Sequence, residues 1–379
     1  MAHDAGGTGG METQVAHLAL GLAGRGYPVT VFSCTCAFAG EAGVRWVRVP
    51  APRASGLRLP WFALGAAVRV AARRPPVLIT TGAILPLRAD LAVVHFCHHA
   101  YRRRHGPRRA ARDHPLWRAN ARLAEGVSLA AERWCYRPQR CGRLVAVSPS
   151  TAADLRQVPG PLAPIAVAES GVDTARFRPR PQARGAARLG LGLPPQAPVA
   201  LFLGGDWPLK RPGMAVEALV AAPGWYLLVA GPGDADDLRR LAARWGVAER
   251  VRVVGPQPDP LPCYAAADVL VHPSASESWS LVLLEAAACG LPVVTTLDNS
   301  LARELADQGA ALQVGATPRD IAAALLRLRP AQRAAMGRAG RALARTRDWA
   351  RTVDTFEGLI AAGGVAAAAT PAREGMRHV

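Results

Sequence analysis

Two carboxylates eight residues apart, Glu277 and Glu285, bracket the stretch ESWSLVLLE. The longer run HPSASESWSLVLLEAAACGLPVVTT, residues 272–296, reads as strand end, loop, helix, glycine stop and strand. The helix should open near Ser280 and end at Gly290-Leu291-Pro292. In one continuous helix the two glutamates would lie about 80° apart with a long rise between them. They read better as a loop carboxylate and a helix carboxylate one and a half turns further in. The N–H groups of Ser280, Leu281 and Val282 would be free at the helix start and would offer an anion site. A carboxylate for a ribose diol, another for a sugar hydroxyl and a phosphate cradle between them suit a nucleotide-sugar. The plainer alternative is that Glu277 caps the helix and Glu285 is solvated.

A second chemical feature is the stretch GGDWPLKRP, residues 204–212, whose Lys210 is the single lysine among 46 basic residues. The heavy use of Ala, Arg, Gly and Pro suggests a coding bias that replaces lysine by arginine, so the exception is informative. An ammonium is a compact point charge that fits between two phosphates, whereas guanidinium is a planar fork.

These residues need a scaffold. Short β-branched runs alternate with longer amphipathic ones along all 379 residues, the pattern of parallel sheets flanked by helices. Strands are expected at 29–32, 44–49, 77–80, 91–96, 144–147 and 165–168, then at 199–203, 226–230, 251–254, 269–272, 292–296 and 312–314. The fold class is therefore α/β, with two doubly wound Rossmann-like domains facing a central cleft, since ligands bind at the carboxyl ends of such strands. The Pro- and Gly-rich segment 178–198 reads as the boundary, giving domains 1–180 and 181–361 and a disordered tail 362–379. The last helix could pack back on the first domain. The helix near 11–24 follows MAHDAGGTGG rather than an apolar run, so the first strand is expected to be missing.

The net charge of +18 favours anionic partners. Eleven arginines fall between Tyr101 and Gly142, interleaved with Leu116, Trp117, Leu123, Val127, Leu129 and Trp134. That stretch is either a solvated face or an interfacial surface for an anionic membrane. No apolar run is long enough to span a bilayer, and the N-terminus lacks a signal-peptide pattern, so a cytoplasmic protein, peripheral on the membrane at most, is expected. Seven cysteines without a CxxC pair read as reduced thiols.

The spacing Glu277-x7-Glu285 with LVLLEAAACGLPVV resembles the signature of glycosyltransferase family 4, retaining enzymes of GT-B fold. The resemblance extends along nearly the whole chain: GGMETQVAHLALGLAGRGYPVTVFS carries the family's opening loop at Gly9, Gly10 and Glu12, and RLVAVSPSTAADL, ESGVDTARFRP and VALFLGGDWPLKRPGMAVEAL follow in family order. The layout is most similar to lipopolysaccharide core glucosyltransferases. The resemblance implies that Lys210 contacts the donor diphosphate, Glu277 the transferred sugar and Glu285 the ribose. It also implies donor contacts from Gly9, Gly10, Gly204, Gly205, Arg211, Ser280, Leu281 and Val282, and a strand-end histidine, His95, near the sugar. Donor and acceptor would be a nucleotide-sugar and a glycan or glycolipid, with no cofactor and no metal. Two departures stand out: Gly205 replaces a usual arginine, for which Arg211 could substitute, and Ser280 replaces a usual glycine.

Other matches carry less. DADD at 234–237 mimics a metal motif but opens a helix, where acidic residues cap. GGTGG lacks the third glycine of a dinucleotide fingerprint, and the lysine does not follow a glycine as a Walker loop requires. His95, Cys97 and His99 would share one face of an extended strand, yet no fourth ligand accompanies them. Nucleic acid is not an expected partner, because charge is its only support. The alternatives are a nucleotide-sugar epimerase of similar fold and a catalytically inactive GT-B scaffold. Lys210→Arg should keep the fold and charge and lose much of the transfer rate; wild-type turnover in that variant would mark the lysine as accidental.

Overall fold

The computed structural model describes residues 1–7, 9–52, 55–107 and 115–363. Arg108, Arg109 and Arg112 of the arginine-rich stretch lie outside these residues, as does the expected tail beyond 363. The chain divides into two compact units: residues 1–170 together with the segment from 349 onward, and residues 171–348.

The first unit contains strands β1 (Asp4–Ala5), β2 (Val29–Ser33), β3 (Thr35–Cys36), β4 (Val44–Arg48), β5 (Ile79–Thr81), β6 (Ala89–Val94), β7 (Cys141–Ala146) and β8 (Ile165–Val167). All their pairings are parallel, β2 with β4, β1 with β3, and β5 through β8 in sequence order. The expectation of a missing first strand is corrected. Residues 1–5 run extended between β2 and β5: Ala2 N donates to Phe32 O at 3.2 Å and Thr81 N to Met1 O at 3.0 Å. Sequence patterning looked for an apolar run, but two alanines of zero exposure are enough here. The polar residues between them pair locally, Thr35 Oγ1 donating to Asp4 Oδ1 at 2.6 Å and His3 Nδ1 lying 2.7 Å from Asp4 Oδ2.

The C-terminal helix Trp349–Ala362 belongs to this unit and packs on helix Gly10–Gly24. His17 stacks on Trp349 at 4.3 Å, and Arg25 pairs with Asp354 at 2.6 Å and also with Glu357. A Cβ at Gly21 would lie 2.5 Å from Val353 Cγ2, so the glycine sets how closely these two helices approach.

The second unit is a six-stranded parallel sheet of β9 (Val199–Leu203), β10 (Tyr226–Ala230), β11 (Val251–Gly255), β12 (Val269–His272), β13 (Val293–Thr295) and β14 (Ala311–Gln313). The order is β11-β10-β9-β12-β13-β14. These strands are near-continuous apolar runs because helices cover both faces. The order reverses direction between β9 and β12, and at such a switch point the loops leaving the two strands diverge and open a crevice.

The segment 178–198 is not an open linker. It contains helix Arg184–Gly190, whose Arg188 is 1 % exposed and donates to the carbonyls of Ala266, Pro194, Pro195 and Ala197 and to Asp268 Oδ2 at 2.8 Å. The same Asp268 oxygen accepts from Val199 N at 2.8 Å, which ties the segment to the start of β9. The division of the chain accordingly falls at 170/171, ten residues before the expected boundary.

Candidate active site

β9 and β12 are neighbours, so the loops that follow them, 204–211 and 273–280, come together at the switch point. The first is held by Trp207. Its indole Nε1 donates to Gly204 O at 2.9 Å, and its ring covers Gly233, where a Cβ would sit 2.0 Å from Trp207 Cδ2. Asp206 and Arg211 both adopt left-handed backbone, φ +49° and +51°, which turns the chain sharply on either side of the short helix Trp207–Lys210. A Cβ at Gly204 would lie 2.9 Å from Lys210 Cδ and 3.0 Å from Nζ, so the lysine folds back over bare backbone.

Lys210 Nζ reaches Glu277 Oε1 at 3.2 Å, and His272 Nε2 lies 3.3 Å from the same oxygen. His272 ends β12, is fully buried and stacks on Phe202. Burial alone would raise the Glu277 pKa, but the His272 hydrogen bond and the Lys210 charge outweigh it and hold the group at about 2. An ionised carboxylate only accepts hydrogen bonds, so the His272 proton resides on Nε2. The loop beyond is secured by Asn299, whose Nδ2 donates to Glu277 O at 3.3 Å and Trp279 O at 3.4 Å. The plain reading of Glu277 as a helix cap does not hold: the cap residue of helix Leu281–Ala288 is Ser280, with no side-chain cap bond.

Ser280 has φ +74°, the left-handed region that glycine occupies freely, and its buried hydroxyl has no hydrogen-bond partner among the described residues. The glycine usual in the resembling family is thus explained by backbone geometry, and serine here tolerates the strain. The first N–H groups of the helix, at Leu281 and Val282, have no intrahelical acceptors by construction.

Glu285 sits on that helix, half-buried, and accepts from Tyr264 Oη at 2.7 Å. Burial pushes its pKa up to about 7; the Tyr264 hydrogen bond and the Arg176 and Lys210 charges oppose this without overcoming it. The reading of Glu285 as a solvated carboxylate is therefore set aside. Arg211 is engaged in holding loops together, Nε donating to Pro273 O at 2.8 Å and Nη2 to Thr296 Oγ1 at 3.2 Å. At Gly205 a Cβ would meet Pro232 Cγ at 3.0 Å, so a side chain there would displace that proline. Asp234 caps helix Ala235–Arg244 by accepting from Asp237 N, as its position after Gly233 implied.

Gly9, Gly10 and His95 belong to the first unit. Gly9 caps helix Gly10–Gly24, and a Cβ there would lie 1.9 Å from Glu12 Oε2. β6 ends at Val94 and a helix begins at His98, so His95, Cys97 and His99 do not share a strand face. His99 Nδ1 instead pairs with the buried Glu132 at 2.7 Å, and Glu132 also accepts from the backbone N–H groups of His98 and His99. No group of residues suited to a metal occurs among the described residues. His95 lines a cavity of about 150 Å³ with Thr81, Phe96, Ser128, Glu132 and Tyr136, and burial lowers its pKa to about 4, leaving a neutral imidazole. His272 and Tyr264 are site residues that sequence reading did not single out. A histidine ending the strand next to a switch point was the available signal for the first.

Two α/β units with parallel sheets, the second carrying a charged cluster at its switch point, fit the GT-B fold. Residues 8–176 match the family described as Glycosyltransferase Family 4, and residues 197–329 match Glycosyl transferases group 1. WaaG, a glycosyltransferase involved in lipopolysaccharide biosynthesis, superposes with TM-score 0.80 at 20% identity, covering 95% of this chain and 99% of WaaG. Sucrose-phosphate synthase from Thermosynechococcus elongatus gives 0.77 at 22%, covering 95% and 96%. At these identities the likeness is one of fold. D-inositol 3-phosphate glycosyltransferase of Salinispora arenicola is 38% identical over 252 residues, 60% of this chain and 55% of that protein. The corresponding protein of Mycolicibacterium gilvum is 37% identical over 201 residues, 51% and 45%. The chain spans about half the length of these curated relatives. Each unit thus matches a glycosyltransferase family model, the first that of family 4 and the second that of group 1, and the fold is GT-B.

Because the Glu285 pKa is raised in the fold, the folded state holds a proton that the unfolded chain has released, and stability falls as pH rises from about 4.5 to about 7. Glu285→Gln should therefore leave stability unchanged near pH 4.5 and raise it at pH 8, by up to roughly 3 kcal/mol and less to the extent that water reaches the half-buried carboxyl. Urea denaturation of both proteins at the two pH values measures this; an equal difference at both would mean that the carboxyl titrates normally.

Proposed function

We propose that this glycosyltransferase is a retaining hexosyltransferase that moves a sugar from a nucleotide-diphosphate donor to a glycan or lipid-linked acceptor without a metal ion. The observation that carries the reading is the Lys210–Glu277–His272 cluster at the switch point of the second unit. When the bond between the sugar C1 and the phosphate oxygen breaks, the electron pair and negative charge leave with the diphosphate. Lys210 and the N–H groups at the start of helix Leu281–Ala288 supply fixed positive charge for that anion, and losing one such donor costs about 3–4 kcal/mol of barrier. Glu277, ionised and held on two sides, accepts hydroxyls of the transferred sugar, while Glu285 accepts the ribose diol. The acceptor hydroxyl bonds to C1 as the bond to phosphate breaks, and its proton passes to the departing diphosphate oxygen.

The crystal structure of Anabaena HepE with UDP and glucose has the same fold at TM-score 0.70 and 18% identity, which is compatible with a nucleotide-sugar donor. On the acceptor side, the His95 cavity is lined mostly by apolar groups, Met11, Ala83, Ile84 and Phe96 among them, with a few hydroxyl, imidazole and carboxylate groups and no lysine or arginine among its lining residues. That chemistry suits a hydroxyl-bearing group better than the phosphate named in the inositol-phosphate relatives. Gly9 and Gly10 would let donor or acceptor approach bare backbone in the first unit. The chain works at a cytoplasmic membrane face, where a lipid-linked acceptor is presented; no helix among the described residues is long and apolar enough to cross one.

A thermal-shift screen over UDP, GDP, ADP and TDP sugars tests the donor, since a ligand bound only by the native state raises apparent stability. One nucleotide family should shift the wild type, and its hydrolysis should be lost in Lys210→Ala and Glu285→Ala. Near-zero, unchanged hydrolysis in wild type and both variants would favour the inactive scaffold.

A further inference from the structure

Helix Ser55–Arg73 carries an inverted pattern on its outer side. The positions exposed between 60 and 72 are Pro60, Trp61, Leu64, Val68, Ala71 and Ala72, and none of them is polar. At 100° per residue they form one continuous face about 120° wide. Trp61 is 61 % exposed, Leu64 65 % and Val68 63 %, while Phe62, Ala66 and Val70 on the opposite side are buried in the core of the unit. A surface helix of a globular protein normally presents charged residues on that side, and a contiguous apolar face signals an unmet partner.

Charge identifies the partner. Between Glu41 and Asp90 the chain holds eight arginines and no acidic residue. Arg69 flanks the face, with Nη1 on Gly65 O, and Arg73 and Arg74 stand exposed at its C-terminal end. The helix packs against helix Pro115–Cys135, which in turn carries helix His98–His105 with the exposed Arg102, Arg103 and Arg104. A second copy of this chain docking on the face would bring two such basic neighbourhoods together, which like-charge repulsion opposes. An anionic bilayer meets both demands, because its acyl region takes the apolar face and its headgroups take the arginines. Tryptophan at the membrane interface places its ring at headgroup level.

We propose that the outer face of helix Ser55–Arg73 is a membrane-docking surface that inserts Trp61, Leu64 and Val68 into an anionic leaflet. This places the contact on a different element from the arginine-rich stretch 101–142, whose described arginines serve as a charged flank. It rests on the proposed function only for its purpose, access to a lipid-linked acceptor; the docking itself depends on the face alone.

The test is co-sedimentation with vesicles of phosphatidylcholine alone and of phosphatidylcholine mixed with phosphatidylglycerol. Wild type should pellet with the mixed vesicles and much less with phosphatidylcholine. The triple variant Trp61→Ser, Leu64→Ser, Val68→Ser should lose about tenfold or more in apparent affinity even at low salt, with unchanged near-ultraviolet circular dichroism and unchanged donor hydrolysis in solution. Bromine-labelled acyl chains should quench wild-type fluorescence more than that of Trp61→Phe. Wild-type binding in the triple variant, no binding of wild type to the mixed vesicles, equal quenching in Trp61→Phe, or a wild-type dimer that the triple variant dissociates would each overturn the proposal. Loss of vesicle binding alongside intact hydrolysis leaves the catalytic reading standing, and absent hydrolysis with intact vesicle binding counts against that reading alone.

Discussion

One oxygen atom organises the switch-point corner of the second unit. Glu277 Oε1 receives Lys210 at 3.2 Å and His272 at 3.3 Å in a site that excludes most solvent. A carboxylate with so little water is tolerable only when compensated on more than one side, and removing either partner leaves a charge that burial then penalises. The arrangement also fixes a cation in place before any ligand arrives, so little reorganisation is needed when negative charge develops nearby. A diphosphate entering this corner would compete with Glu277 for Lys210, while His272 would keep the carboxylate oriented from behind.

Everything that places this oxygen follows from strand order. β9 and β12 are distant in sequence and adjacent in the sheet, so the residues that follow them meet without long side chains having to bridge a gap. Both ends of β9 are anchored. Asp268 accepts from Val199 N at the start, neutralised by the buried Arg188 and by Arg184, and Trp207 pins the loop after the end. Arg211 then joins that loop to the turns after β12 and β13. A buried ion network of this kind is weak evidence for added stability; its hydrogen bonds give every partner a defined direction.

Most strands were legible because buried parallel strands are apolar runs with sharp ends: β9, β10 and β12 fall where the sequence put them. The polar features were not. β1 escaped because His3 and Asp4 are satisfied by one another and by Thr35, a pairing invisible to a hydrophobic pattern. The segment 178–198 looked like a linker by its prolines and glycines, yet one arginine with five acceptors makes it part of a core. Glu277, Glu285 and Lys210 stood out by type and spacing, whereas His272 acquires its role only through the neighbouring strand. Helix 55–73 showed its apolar content in the sequence; which side faced out required the fold.

The pairing of Lys210 with Glu277 is most directly measured by a double-mutant cycle. Lys210→Met, Glu277→Gln and the combined variant would be compared with wild type in the initial rate of donor consumption. If the two side chains act as one unit, the double variant loses little more than the worse single variant, and the coupling exceeds about 1 kcal/mol. Losses that simply multiply would show that the two charges act independently and that the shared oxygen is not the centre of the site.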